Sequence, residues 1–228
     1  MDVKIEIDRA SRRKMESVIN DFAKRTGKTA EDGVAMIAAS AGKRLIHTVQ
    51  PYGVKQSVGE KYKKSIAKQV HRAIRNANIE GSAGTAASVH LQRRDSKGQV
   101  PRELPTDGQF KRQPIEMAET MDHVRKTQAK AGRAKGAWLE AVNGIGGRKV
   151  SGIGKWITDH ASNGYGKCIK TGQGLNHKIT LENLTPYIGK IQPDKVIAQA
   201  IASGLKNAFK SMQRTIDKEI EKANRALQ

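Results

Sequence analysis

The sequence predicts an α+β protein: a helical layer packed on a small antiparallel sheet, with a long C-terminal helix and an extended middle arm. Three observations predict it. Apolar residues recur at helical spacing through residues 15–77 and again after residue 193. Between them, a glycine-rich stretch runs into the alternating segment His177-Lys178-Ile179-Thr180-Leu181-Glu182-Asn183, the pattern of a half-buried strand. Residues 80–114 lose helical periodicity, keep only the alternation of Ala87, Val89 and Leu91 as one possible strand, and collect Gly81, Gly84, Gly98, Gly108, Pro101, Pro105 and Pro114.

Composition limits how such a fold is held together. Of 228 residues, 37% are hydrophobic but only 4% aromatic, so the core must be thin and built from Ala, Ile, Val and Leu. Lys plus Arg number 42 against 22 for Asp plus Glu, a net charge of +20. A charge of that size repels itself and draws in polyanions: nucleic acid, an acidic protein surface or anionic lipid. The single cysteine, Cys168, allows no intrachain disulfide and no Cys-rich zinc site. It reads as a small apolar filler on a strand.

Val3, Ile5 and Ile7 alternate with charged residues as a short strand or arm. A first helix follows with Met15, Val18, Ile19 and Phe22 on one face, and Gly27 suits a left-handed terminating residue. Thr29 opens a second helix, with Asp32 at capping-box spacing. Its face of Ala35, Ala38, Ala39 and Gly42 is small enough for another helix or a neighbouring subunit to approach closely. Pro51-Tyr52-Gly53 makes a turn. A third helix is expected over about residues 58–77, with Tyr62, Ile66, Val70 and Ile74 inward and Lys61, Lys63, Lys64, Lys68, Arg72 and Arg75 elsewhere.

A long excursion without structure fits badly inside a compact domain, so residues 80–113 are expected to form an arm ordered by a neighbour or a disordered span. Pro114 suits the first turn of a fourth helix with Ile115, Ala118, Met121 and Val124, then Trp138, Leu139 and Val142. Gly132 and Gly136 are the positions where it can split, and Asn143-Gly144 ends it. In the glycine-rich region, Trp156-Ile157 anchors a short helical turn. Cys168-Ile169 and Ile179–Leu181 supply the strands. The last helix carries Ile197, Ile201, Leu205, Phe209, Met212, Ile216 and Ile220 at spacings of mostly four, a stripe that drifts around the helix. Lys206, Lys210, Arg214, Lys218 and Lys222 recur every four residues beside it. The expected division is 1–79, 80–113, 114–192 and 193–228, all parts of one composite domain.

Catalytic and ligand motifs are missing. Gly154-Lys155 and Gly166-Lys167 lack both the leading glycine and the following Ser or Thr of a phosphate loop. The six histidines are too far apart for a helical metal pair. Asp159-His160 has no nucleophile motif beside it. No cofactor and no metal are expected, and the chain is read as a non-enzyme. The longest apolar run, Val34–Ala41, is too short to span a bilayer, and the N-terminus is not a signal peptide, so no membrane partner is expected. Lys61, Lys64, Lys68 and Arg72 of the third helix, with Lys206, Lys210, Arg214 and Lys218 of the last, are the candidate polyanion-facing or interface residues.

Two stretches carry a resemblance. The first is Ala38-Ala39-Ser40-Ala41-Gly42-Lys43-Arg44 leading to Thr48-Val49-Gln50-Pro51-Tyr52-Gly53, then Gly59-Glu60-Lys61 and Ser65–Val70. The second is the 178–184 strand with Thr185-Pro186-Tyr187 and the helix over 200–212. In order and wording these resemble the tail-completion or neck proteins of tailed bacteriophages. The resemblance implies a virion structural protein, made in the host cytoplasm, that forms a homo-oligomeric ring at the head–tail junction around the DNA channel. Its implied partners are other neck, portal or tail proteins, with non-specific contact to packaged DNA. A sequence-independent nucleic-acid-binding protein is the alternative, and an enzyme with dispersed catalytic residues is a third reading.

Overall fold

A computed structural model describes residues 9–79, 117–146 and 150–226. In chain order the elements are α1 (Arg9–Thr26), α2 (Ala30–Thr48), α3 (Gln56–Ile79), α4 (Met117–Ala129), α5 (Arg133–Asn143), α6 (Lys155–Thr158), β1 (Gly166–Thr171), a 3₁₀ turn (Gly174–Asn176), β2 (Lys178–Asn183), α7 (Ile188–Ile191) and α8 (Asp194–Ala226). The protein is α+β: mostly helical, with a two-stranded antiparallel sheet and a long C-terminal helix. The arm expected over 80–113 and the Pro114 helix start lie outside the described residues, as does the expected strand at Val3–Ile7.

The described residues form two compact units, one from those of 1–56 and 132–228 and the other from those of 57–131. The first unit is discontinuous in sequence, and α2 is its central element. Thr29 starts α2 with a reciprocal capping box. The Asp32 N–H donates to Thr29 Oγ1 at 3.1 Å, and the Thr29 N–H donates to Asp32 Oδ2 at 3.1 Å. Gly27 takes φ +65° after α1, the left-handed conformation that glycine adopts without strain.

One face of α2 closes over α1 and α8. Ile19, Phe22, Ile37, Ala208, Met212 and Ile216 make the buried cluster there, with Met15, Val18, Leu205 and Phe209 half-buried around it. The apolar row expected on α8 is corrected in its middle. The buried positions are Ile197, Ala200, Gly204, Ala208, Met212 and Ile216. Ile201, Leu205 and Phe209 flank this row, and Ile220 is 39% exposed. The small residues win because backbone meets backbone: a Cβ on Gly204 would lie 2.5 Å from Ala41 Cα.

The other side of α2 receives α5 and the sheet. Gly42 packs against Val142 and Leu181. The small residues of α2 thus admit two helices of the same chain. Antiparallel pairing sets Cys168 opposite Leu181 and Gly166 opposite Asn183. Cys168 lies against Gly144, Gly166 against the Ala137 carbonyl, and Asn183 Nδ2 donates to the Ala134 carbonyl at 2.8 Å. That face of the hairpin therefore lies on α5. Its reverse pairs Lys167 with Glu182 and leaves Ile169 exposed. The hairpin tip is held to α2, since the Gly174 N–H donates to Glu31 Oε1 at 2.8 Å. Trp156, in the short α6, is buried and donates its indole N–H to the Lys55 carbonyl at 3.1 Å.

Among the described residues, the second unit is a helix pair. Ile66, Val70, Ala73 and Ile74 of α3 meet Val124 and Ala131. Gln128 Nε2 donates to the Lys63 carbonyl at 2.8 Å. The stripe expected on α4 is shifted: Val124 is buried with Thr120, whereas Ala118 and Met121 are exposed. The long fourth helix of the sequence reading is two helices. The break falls at Gly132, with φ +93°, while Gly136 stays helical and admits His160.

Candidate functional site: two basic helix faces

The eight residues singled out by charge pattern fall into two sets on the two units. On α3, Lys61, Lys64, Lys68 and Arg72 are all exposed. At about 100° per residue they share an arc of about 80°, diametrically opposite the buried Ile66, Val70 and Ala73. The periodicity that buries one stripe of α3 turns the basic stripe to solvent.

On α8, Lys206, Lys210, Arg214 and Lys218 are likewise exposed. A step of four residues advances the row by about 40°, so the row winds round the helix. Lys206, Lys210 and Arg214 stay on one side, opposite Gly204 and Ala208, and Lys218 begins to leave it. Lys195 is a member of the same face that the four-residue count missed. It precedes Lys206 by three turns, and a helical projection rather than a fixed interval is the signal that finds it. Between Lys195 and Ile216 there is no Asp or Glu. Asp217 ends this acid-free stretch and accepts a hydrogen bond from Gln213 Nε2 at 2.9 Å.

From Asp217 to Ala226 every residue of α8 is exposed. The helix runs about 15 Å past Ile216, its last buried residue. This segment mixes Asp217, Glu219 and Glu221 with Lys218, Lys222 and Arg225, and it carries Ile220 partly exposed.

Three polar side chains that brace the fold were not legible in the sequence. Lys135 is fully buried, and its Nζ donates to the Ile46 carbonyl at 2.7 Å. Gln192, also fully buried, donates Nε2 to the Leu45 carbonyl at 3.1 Å and to Thr48 Oγ1 at 2.8 Å, and accepts from Trp138 Nε1 at 2.8 Å. Together they satisfy carbonyls that the end of α2 leaves open. Burial lowers the Lys135 ammonium to about 7. His47 next to it is lowered by burial and then by the charges of Lys135 and Arg44. Glu140 is the third: its two carboxylate oxygens accept the Gly164 and Gly166 N–H groups at 3.0 and 2.9 Å.

These groups tie the fold together and do not converge on a reacting centre. Cys168 is half-buried on β1, and burial raises its thiol above the ordinary range, the setting of a packed rather than nucleophilic cysteine. Among the described residues, no three His, Cys, Asp or Glu side chains gather as a metal site. Among the same residues, no helix is long and apolar enough to cross a membrane. No family model, curated protein or solved structure matches this chain.

Proposed function

We propose that this chain is a non-enzymatic structural protein of a tailed-phage particle, assembling as a ring at the head–tail junction together with other neck, portal or tail proteins. The observation that carries the proposal is the distal part of α8. A helical segment exposed on all sides lacks the tertiary packing from which most helical stability in proteins comes. Ten such residues following a buried row supply a surface that an adjoining subunit completes. The fold supports the same reading. It has a helical layer, a small antiparallel sheet and a thin core whose burial neighbours would extend. The exposed cations of α3 and of α8 suit contact with a polyanion.

Electron microscopy of the purified chain, alone and mixed with portal and tail components of one phage, tests the proposal. Closed rings are expected in at least one of these preparations. Monomers throughout would overturn it. The second reading, a nucleic-acid-binding protein that works unassembled, draws on the same basic faces. It predicts sequence-independent DNA binding by a species that sediments as a monomer.

A further inference from the structure

The two basic faces share a property that narrows the polyanion. Protein docking sites carry their energy in a desolvated apolar or aromatic centre ringed by polar groups. Membrane-surface helices need an apolar face to bury in the lipid. The large apolar side chains exposed among the described residues are Tyr52, Met121, Ile169, Leu184 and Ile220. None of them belongs to the Lys195–Arg214 face of α8. Gln199, Ser203 and Gln213 lie between its cations, and these are exposed too. Binding to a phosphate backbone needs no such centre, since its free energy comes from released counterions.

Geometry agrees. Lys195, Lys206, Lys210 and Arg214 fall within an arc of about 100° and extend over about 28 Å of helix. They form a slowly winding cationic face on one side of the helix, long enough to follow a linear, regularly charged polymer. Aromatic side chains that would stack unpaired bases are missing from it, which favours paired over single strands. Phe209, the one aromatic residue of α8, is half-buried against the core.

We infer that the Lys195–Lys206–Lys210–Arg214 face of α8 is a sequence-independent contact for the phosphate backbone of duplex nucleic acid, closed off at its distal end by Asp217. This deepens the polyanion part of the function proposed above and rests on that part, not on the ring.

The test is the salt dependence of binding of the full chain to two unrelated random-sequence DNA duplexes, followed by fluorescence anisotropy and expressed per protomer. Four phosphate contacts give a slope of log K against log salt of about −3.6. The triple variant K206Q/K210Q/R214Q is expected to reduce the steepness by about 2.7, equally on both duplexes. The triple variant K218Q/K222Q/R225Q removes the same net charge from the distal segment and is expected to leave the slope near the parent value. Circular dichroism confirms that both retain helix, all six positions being exposed. Equal changes in the two variants would overturn the inference in favour of bulk charge. So would no duplex binding, or tighter binding to poly-glutamate or to anionic phosphatidylserine vesicles that the proximal triple abolishes. Sedimentation of the same samples separates the two ideas. Assembled chain that ignores duplex DNA defeats this inference alone, and monomeric chain that binds it through α8 defeats the ring alone.

Discussion

Ser40 Oγ donates a 2.8 Å hydrogen bond to the Gly204 carbonyl, tying α2 to α8 where the two backbones come closest. A side chain on Gly204 would press on Ala41 Cα and N, which cannot rotate away. Gly204→Ala is therefore expected to destabilise the protein by about 1–3 kcal/mol, despite the roughly 1 kcal/mol that alanine gains over glycine inside a helix. Urea denaturation measures it. A variant as stable as the parent would mean that the crossing is looser than these distances.

Lys135 makes stability depend on pH. Its folded-state ammonium titrates at about 7, below the 10.5 of an unperturbed lysine. Between those values the unfolded chain binds more protons than the folded one, so stability rises with pH across that window. Below pH 7 both states are protonated and the cost of the buried charge is fully present. The stability of the parent relative to Lys135→Met is thus expected to climb from pH 7 toward pH 10, by at most about 1.4 kcal/mol per unit. Denaturation curves at three pH values check the slope. A pH-independent difference would show a lysine that stays charged on the α2 carbonyls.

Glu140 holds the approach to β1 through two backbone N–H groups. Glu140→Ala is expected to cost about 1–3 kcal/mol and to speed amide exchange at Gly164 and Gly166 at least tenfold, with Glu140→Gln intermediate. Nuclear magnetic resonance exchange rates decide this. Unchanged rates at both glycines would mean that the hairpin base is held by other contacts.

The distal segment of α8 is where folding can be separated from the proposed assembly. A chain ending at Ile216 loses no buried residue, so its melting temperature is expected to stay within a few degrees of the parent while its rings, if the proposed function holds, are lost. Calorimetry and electron microscopy on one preparation read both. A large fall in melting temperature would assign the segment to the core instead.

Much of this fold can be read from short-range pattern. Thr29 with Asp32, Gly27, Pro193 and the alternation at 178–183 each act within a few residues, so local chemistry predicts them. The α8 core row was misread because apolar size was counted. The crossing with α2 is set by closeness, and Ala200, Gly204 and Ala208 are what closeness selects. Met121 was placed inward by spacing, but the helix pair buries Thr120 and Val124 instead. Lys135 and Gln192 gave no signal at all. Their partners on α2 lie 89 and 147 residues away, and an isolated lysine or glutamine in a helix or turn looks like any surface residue. Of the candidate site, the α3 face and most of the α8 face were legible. Lys195 was hidden by counting in fours along a helix that turns every 3.6 residues.

The discontinuity of the first unit bears on how the protein is made. A ribosome releases α2 early, yet the side chains that fasten its far end arrive only with Lys135 and Gln192, and its partner across Ser40 later still. The residues of α1 and α2 must wait, uncompleted, while the whole of the second unit emerges. Native packing of α1 and α2 thus waits until α8 has been made, and a nascent chain halted before α8 would present bare α1 and α2 surfaces suited to a chaperone.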